Sequence, residues 1–230
     1  MLNEIGTLYI VATPIGNMED ITLRAIRILK EVDLILCEDT RTTGKLLARY
    51  EIKNKTSSYH AHSTKGKETA IIKMLQDGKN IAMVSDAGTP CISDPGILLV
   101  QEVYKEFGVN AHVVPIPGAS ALISALSACG VSMAQFSFLG FLPHKKGRET
   151  IFKDVAIATE PIVFYESSHR IIKSLESLEK YCTDKNIVIG RELTKIYEEF
   201  LRGKPGELLA ILSKDKNKQK GEFVVIVYTK

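Results

Sequence analysis

The chain has 230 residues, of which 45% are hydrophobic and 25% charged, with 16 glycines, 8 prolines and no tryptophan. This composition is typical of a globular protein and excludes disordered, collagenous and coiled-coil chains. The net charge of +3 is unevenly divided, because residues 1–115 carry 13 Lys and Arg against 14 Asp and Glu, whereas residues 116–230 carry 17 against 13. A mildly basic second half is compatible with a polyanionic partner without requiring one.

Membrane and secretory classes are not favoured either. The amino end lacks the basic start and apolar stretch of a signal peptide. Residues 113–143 are uncharged but interrupted by prolines and glycines, so they predict a buried core segment rather than a membrane span. The four cysteines (Cys37, Cys91, Cys129 and Cys182) are too far apart for a zinc ribbon or a disulfide framework. We therefore expect a soluble, cytoplasmic protein.

The first half alternates short apolar strands with helices. Strands are predicted at residues 7–12, 34–37 and 81–85, and helices after Asp20, around 46–47, at 65–76 and at 97–107. Asp20 is expected to cap the first helix. Short, wholly apolar strands separated by helices predict a mostly parallel sheet that is covered on both faces.

The proline-rich stretch at 113–118 predicts a boundary between two α/β domains, residues 1–115 and 116–230. Beyond it, strands are expected at 136–141, 162–165, 187–191, 196–202 and 223–228, with helices at 119–128, 148–156, 170–181 and near 208–212. The strands at 196–202 and 223–228 are predicted to pair antiparallel, which makes the second sheet mixed.

Four loops carry more functional side chains than a simple connection needs. They are residues 13–17, 38–41, 86–96 and 117–121, and all four are expected at strand ends of a single sheet. The carboxyl ends of parallel strands share one edge of a sheet, where ligands bind. Taken alone, each loop has a composition that is also common in turns without a function. None has the glycine pattern of a Rossmann or P-loop nucleotide site, so those classes are disfavoured.

The second half adds polar clusters at 165–170 and 191–195 and a basic loop at 144–148. The alternatives without a functional role are a structural ion pair for the clusters and a flexible surface loop for the basic residues. The lysine-rich segment 214–220 is interpreted as a solvated turn, with RNA contact as the lesser alternative. His60 and His62 share a face of an extended segment, but no third ligand stands at suitable spacing, so no metal site is predicted.

Taken in order, the segments TPIGN (13–17), EDTR (38–41), SDAGTP (85–90), PGASA (117–121), GFLP (140–143), YESSHR (165–170) and RELTK (191–195) resemble one family. They are similar to the bacterial 16S rRNA 2′-O-ribose methyltransferases of the tetrapyrrole methylase superfamily. The resemblance implies two α/β domains of that fold, S-adenosylmethionine in the cleft between them, and a homodimer. It also implies methylation of a cytidine ribose in the small ribosomal subunit.

The resemblance further implies residue roles. Cofactor contacts are expected from Pro14, Asp86, Gly88, Thr89, Ser120, Ala121, Tyr165 and Leu193. Candidate catalytic groups are Asp39, Glu166 and Lys195, with Asp39 or Glu166 preferred as the base that activates the ribose hydroxyl. RNA contacts are expected from Arg41, Lys145, Lys146, Arg148, Arg170 and Arg191. Two alternatives stay open: a tetrapyrrole methyltransferase of the same fold, and a non-catalytic module that senses S-adenosylmethionine.

Overall fold

The computed structural model describes residues 4–60, 65–93 and 96–229. The chain forms two compact units, Met1–Ser120 and Ala121–Lys230. The division lies a few residues after the junction that the prolines predict, because residues 113–116, which include Pro115, form a strand of the first unit's sheet.

The first unit is built on a parallel sheet. Its strands are β1 (Leu8–Val11), β2 (Leu34–Cys37), β3 (Thr56–Ser58), β4 (Ile81–Met83) and β5 (Val113–Ile116). Its helices are α1 (Leu23–Glu31), α2 (Thr40–Arg49), α3 (Lys65–Gln76) and α4 (Ile97–Phe107). The strand order is β3-β2-β4-β1-β5, and every described pairing is parallel.

Both faces of this sheet are buried, as the sequence predicts. On one face, Ile35 packs in a cluster with Leu29 of α1 and Leu46 of α2. On the other face, the adjacent Leu36 packs with residues of α3 and α4, among them Leu75. Successive side chains of a strand point to opposite faces, so a strand between two helix layers must be apolar throughout.

The second unit has a mixed sheet. Its strands are β6 (Ser137–Phe141), β7 (Ile162–Ser167), β8 (Asn186–Arg191), β9 (Glu199–Gly203) and β10 (Glu222–Tyr228), and its helices are α5 (Ala121–Ala128), α6 (Arg148–Ile157), α7 (Ile171–Tyr181) and α8 (Pro205–Lys214). The order is β6-β7-β10-β8-β9; β6 and β7 are parallel and the other neighbours antiparallel. The two-unit α/β fold with one parallel and one mixed sheet confirms the predicted fold class.

The predicted pairing between the strands now numbered β9 and β10 is wrong. β10 lies between β7 and β8, and β9 pairs with β8 at the edge of the sheet. The physical reason is burial: residues 223–227 of β10 are all buried, as a central strand requires, whereas β9 carries Glu199 and the exposed Arg202. β9 also begins three residues later than predicted, since Ile196 and Tyr197 are exposed.

Two further expectations in the first unit need correction. Thr22, and not Asp20, caps α1: its hydroxyl accepts a hydrogen bond from the Ala25 amide at 3.1 Å. Asp20 ends a short 3₁₀ helix (Met18–Asp20) instead. The sequence analysis also missed β3, whose three polar residues gave no apolar signal.

No described helix is long and apolar enough to cross a membrane.

Candidate functional site

The carboxyl edge of the parallel sheet brings the four predicted loops together. They follow β1, β2, β4 and β5, which are neighbours in the order β2-β4-β1-β5. Residues 94 and 95 of the third loop lie outside the described residues. The expectation that these loops share one edge is thus met within the first unit, up to Ser120.

The loops after β1 and β4 are joined through Thr13 and Gly88. Their backbone groups exchange two hydrogen bonds, at 2.9 and 3.0 Å. The Thr13 hydroxyl also donates to the Ser85 carbonyl at 3.1 Å. Gly88 has φ +83°, and a Cβ there would lie 3.3 Å from Ile15 Cγ2, so only glycine fits without strain. The backbone of Gly88 therefore holds the edge together.

The loops after β4 and β5 are joined through Thr89, whose hydroxyl donates to the Ala119 carbonyl at 3.1 Å. Ser120 follows as the last residue of the first unit, and Ala121 opens α5 in the second. The Thr89 hydroxyl hydrogen is thus already used in a hydrogen bond within the protein.

Asp39 is held by Arg41 and lies next to Asp86. It is the N-cap of α2 and accepts a hydrogen bond from the Arg41 amide at 2.8 Å, while the Arg41 guanidinium contacts both of its carboxylate oxygens. These hydrogen bonds lower the pKa of Asp39 to about 2. The Asp39 amide in turn donates to Asp86 Oδ1 at 3.1 Å. Asp39 is therefore a carboxylate at neutral pH, beside a second exposed carboxylate.

A pocket of about 210 Å³ opens at this edge, among the loops after β1 and β4 and the first turns of α2. Its lining residues are Thr13, Pro14, Ile15, Gly16, Met18, Thr42, Thr43, Leu46, Ser85, Asp86 and Ala87. Two of the predicted cofactor residues, Pro14 and Asp86, are in this set. The pocket belongs wholly to the first unit.

Thr43 is a pocket residue that the sequence analysis missed. It is 3% exposed, and its hydroxyl makes no hydrogen bond of normal geometry within the described residues. Burial raises the pKa of the Cys37 thiol, which the Thr43 hydroxyl partly offsets. The available signal was its place one turn into the helix that follows the polar segment 38–41.

In the second unit, Tyr165 is half-buried and Leu193 is buried. The Tyr165 hydroxyl accepts a hydrogen bond from the Leu122 amide at 3.1 Å, which satisfies a free N–H group at the start of α5. Burial raises the pKa of this phenol. Leu193 is 7% exposed, and a Cβ on Gly190 would lie 3.2 Å from its side chain. Both predicted cofactor contacts thus also have packing roles.

Glu166 has no exposed side-chain surface and binds two arginines. Arg148 and Arg170 each approach it to 2.8 Å, and the Ser174 hydroxyl donates to it at 2.6 Å. A fully engaged carboxylate is poorly placed to accept a proton from substrate. This geometry argues against the predicted use of Glu166 as a general base.

Arg191 and Lys195 are also committed to the protein. Arg191 is 7% exposed and donates to the carbonyls of Tyr197, Asn217 and Lys220 as well as to Glu199. Lys195 binds Glu192 at 2.8 Å and Glu222 at 2.9 Å. These contacts favour a structural role for both residues over the phosphate contact predicted for Arg191 and the catalytic role predicted for Lys195.

Among the predicted RNA-binding residues, Arg41, Lys145 and Lys146 are exposed, whereas Arg148, Arg170 and Arg191 are largely buried in ion pairs. Within the described ranges, no group of three His, Cys, Asp or Glu side chains is arranged to hold a metal ion. His62, one of the two histidines considered for a metal, lies outside those ranges.

The family assignment follows from comparison with known proteins. A model of the Tetrapyrrole (Corrin/Porphyrin) Methylases matches residues 7–209. The chain belongs to the tetrapyrrole methylase family. The resemblance of its ordered segments to that superfamily is thereby confirmed.

Two curated relatives of this family illustrate the similarity. "Ribosomal RNA small subunit methyltransferase I" of Escherichia coli O157:H7 is 46% identical over 227 residues, which is 98% of this chain and 78% of the relative. The protein of the same name from Thermotoga maritima is 45% identical over 222 residues, 96% of this chain and 98% of the relative.

Solved methyltransferase structures share the fold. Uroporphyrin-III C-methyltransferase from Thermus thermophilus, complexed with S-adenosylhomocysteine, has a TM-score of 0.65 and 15% identity, and covers 97% of each chain. A cobalt precorrin-4 methyltransferase has a TM-score of 0.66 and 16% identity, covering 96% of this chain and 94% of the other. At these identities the likeness establishes the fold alone.

Proposed function

We propose that this protein is an S-adenosylmethionine-dependent methyltransferase that methylates the 2′-hydroxyl of a cytidine ribose in 16S rRNA of the small ribosomal subunit. The observation that carries the proposal is an identity of about 45%, over almost the whole chain, to relatives named as small-subunit rRNA methyltransferases. The solved tetrapyrrole methyltransferases share the fold at only about 16% identity.

The residues at the parallel sheet edge fit S-adenosylmethionine. Asp86 is an exposed carboxylate on the pocket rim and suits the ammonium group of the methionine moiety. Pro14 and Ile15 supply apolar walls, and Gly88 brings their loop against that of Asp86. When bound, the cofactor supplies a methyl group that is already activated for transfer. The roles of Thr89, Ser120, Ala121, Tyr165 and Leu193 in holding it remain predictions.

The protein's main task in such a reaction is alignment. In-line displacement requires the ribose oxygen to lie opposite the leaving sulfur with water excluded, which positioning residues achieve without strong base catalysis. Asp39 stays the candidate acceptor for the hydroxyl proton, since it is partly exposed and next to Asp86. Its pKa of about 2 makes it a weak base, so we assign it mainly to orienting the hydroxyl.

RNA binding is proposed to rest on exposed cations. Lys145 and Lys146 follow β6, and the Arg41 side chain is 88% exposed. Contacts of this kind bind phosphates and make affinity fall as salt rises. We also propose a homodimer that acts in the cytoplasm, where its substrate would be found; the family resemblance supports the dimer.

Transfer of a labelled methyl group tests the proposal. The protein is incubated with labelled S-adenosylmethionine and, separately, with small ribosomal subunits lacking this modification, with naked 16S rRNA and with a tetrapyrrole. Label on the ribose of one cytidine supports the proposal. Label on the tetrapyrrole alone indicates the alternative methyltransferase, and cofactor binding without any transfer indicates a sensing module.

Asp86→Asn, which removes the rim charge, is expected to weaken cofactor binding, and Asp77→Asn in an exposed turn serves as its control.

A further inference from the structure

The buried Glu166 carboxylate joins two arginines that come from different elements. Arg148 opens α6 and Arg170 precedes α7, and each places a guanidinium nitrogen 2.8 Å from a Glu166 oxygen. Ser174 and the Ser167 amide donate to the same carboxylate. A buried charge is tolerated only when it is paired and hydrogen-bonded in this way. Glu166 is therefore the centre of a fixed network.

Each arginine uses a second nitrogen to hold the chain after β6. Arg170 donates to the Leu142 carbonyl at 2.7 Å, and Arg148 donates to the Pro143 carbonyl at 3.1 Å. Two successive carbonyls are thus tied through two guanidinium groups to one carboxylate. The planar guanidinium allows one arginine to bind the Glu166 carboxylate and a backbone carbonyl at the same time, which a lysine ammonium does not reproduce.

The segment that leaves this anchor is short and basic. His144, Lys145 and Lys146 are exposed, and Gly147 has φ +81° before α6 begins at Arg148. Both ends of the segment, Pro143 and Arg148, are consequently fixed by the same network. Because both ends are held, the segment has less backbone freedom to lose when the lysines bind, which reduces the entropic cost of the contact.

We infer that Glu166 is a positioning residue, which acts through Arg148 and Arg170 to hold the basic segment 144–147 in place for RNA phosphates. The inference rests on the proposed function, since it takes RNA as the partner. The two arginines then act as braces for the segment, while Lys145 and Lys146 make the phosphate contacts. Glu166 takes no proton from the ribose.

Glu166→Gln separates this role from that of a base. Affinity for a 16S rRNA fragment is measured by filter binding between 50 and 200 mM salt, cofactor affinity by calorimetry, and kcat and KM by methylation of subunits. We expect RNA affinity to fall about tenfold and KM for RNA to rise, with kcat and cofactor affinity nearly unchanged. The matched control, Glu149→Gln, removes an exposed carboxylate on α6 that pairs with Lys153, and it should leave all four quantities unchanged.

Two further variants keep the inference testable if Glu166→Gln does not fold. Arg148→Lys retains the charge but cannot serve Glu166 and the Pro143 carbonyl together, so amide exchange at 144–147 should accelerate and RNA affinity should fall. Replacing Lys145 and Lys146 by Ala should reduce the salt slope of binding by about 1.5, since each phosphate contact contributes about 0.7 to 0.9. A salt slope unchanged in this double variant would overturn the inference.

The outcomes also distinguish this inference from the proposed function. If Glu166→Gln lowers kcat and leaves RNA affinity and KM intact, the inference is wrong and Glu166 belongs to the reaction. Unchanged RNA affinity in a folded Arg148→Lys variant would also contradict it. If the wild-type chain binds RNA but methylates none of the substrates, the proposed function fails, and the binding measurements on the variants still decide the positioning role.

Discussion

Charged residues at the ends of strands divide into two groups once their contacts are known. Arg191 and Glu166 are buried and use their polar atoms on the protein itself. Lys145 and Arg41 project from the surface, where a ligand can reach them. The same residue types in similar loops thus serve folding in one case and are available for binding in the other, because burial decides which partners are accessible.

Arg191→Ala tests the buried group. We expect it to destabilise the protein by about 3 to 5 kcal/mol, because it removes a buried cation that pairs with Glu199 and donates to three carbonyls, and Lys218 then remains as the partner of Glu199. Urea denaturation gives the free energy of unfolding. Lys146→Ala is the control and should leave stability unchanged while RNA binding weakens. A stable Arg191→Ala protein with weak RNA binding would restore the phosphate role predicted from the sequence.

Asp39→Asn tests the carboxylate on the pocket side of α2. Asn caps a helix as well as Asp does, so the variant removes mainly the charge that pairs with Arg41. Because the folded pKa is about 2, against an ordinary value of 3.8, the stabilisation is complete above that ordinary value and is lost as the pH falls through 2. The urea midpoint of Asp39→Asn should lie below the wild-type value at pH 6, and the gap should narrow at pH 3. An equal gap at both pH values would show that the charge is not its cause.

At the scale of elements, hydrophobic patterning locates strands and helices well but not their caps and partners. β2 and α3 have the bounds that were predicted from apolar spacing. The N-cap of α1 is the last residue with extended φ and ψ before the helix begins. Both Asp20 and Thr22 are suitable N-cap residues by type. The structure assigns it to Thr22, with φ −81° and ψ 150°.

Thr22→Ala is expected to cost about 1 kcal/mol, the usual loss when an N-cap hydroxyl is removed. Asp20→Ala is the matched comparison: its Oδ2 is buried without a hydrogen-bond partner in the described part of the chain, so its removal should cost less. Chemical denaturation of both variants decides the matter. A larger loss for Asp20→Ala would support the cap that the sequence suggested.

At the scale of the whole molecule, each unit has its own hydrophobic core. Leu29 of α1 lies in a core cluster of the first unit, and Leu175 of α7 lies in that of the second; both are fully buried. Separate cores give each unit its own source of stability, because burial of apolar surface is the main favourable contribution to folding.

Reciprocal core substitutions test this independence. Leu175→Ala and Leu29→Ala should each cost about 2 to 5 kcal/mol in the unit that carries them. Hydrogen exchange measured by mass spectrometry is expected to show faster exchange across residues 121–229 in the first variant and across the first unit in the second. Equal acceleration of both units by either variant would show that they unfold as one.

The two-unit α/β class, the parallel first sheet and the loops at its edge could be predicted from the amino-acid sequence. Wholly apolar strands such as 34–37, separated by helices, allow few other arrangements. The ordered segments also indicated the family, because their combination is specific although each is weak. These properties follow from local patterning and chain order.

Which polar side chains bind other parts of the protein, and so are not available to a ligand, could be seen only in the folded chain. Glu166, Arg148 and Arg170 meet through contacts 4 to 18 positions apart in the chain, and β10 occupies the centre of its sheet although it comes last. The burial of the Thr43 hydroxyl likewise depends on the loops packed around it. Burial and long-range pairing are properties of the folded chain, since they depend on residues that approach only after the sheets have formed.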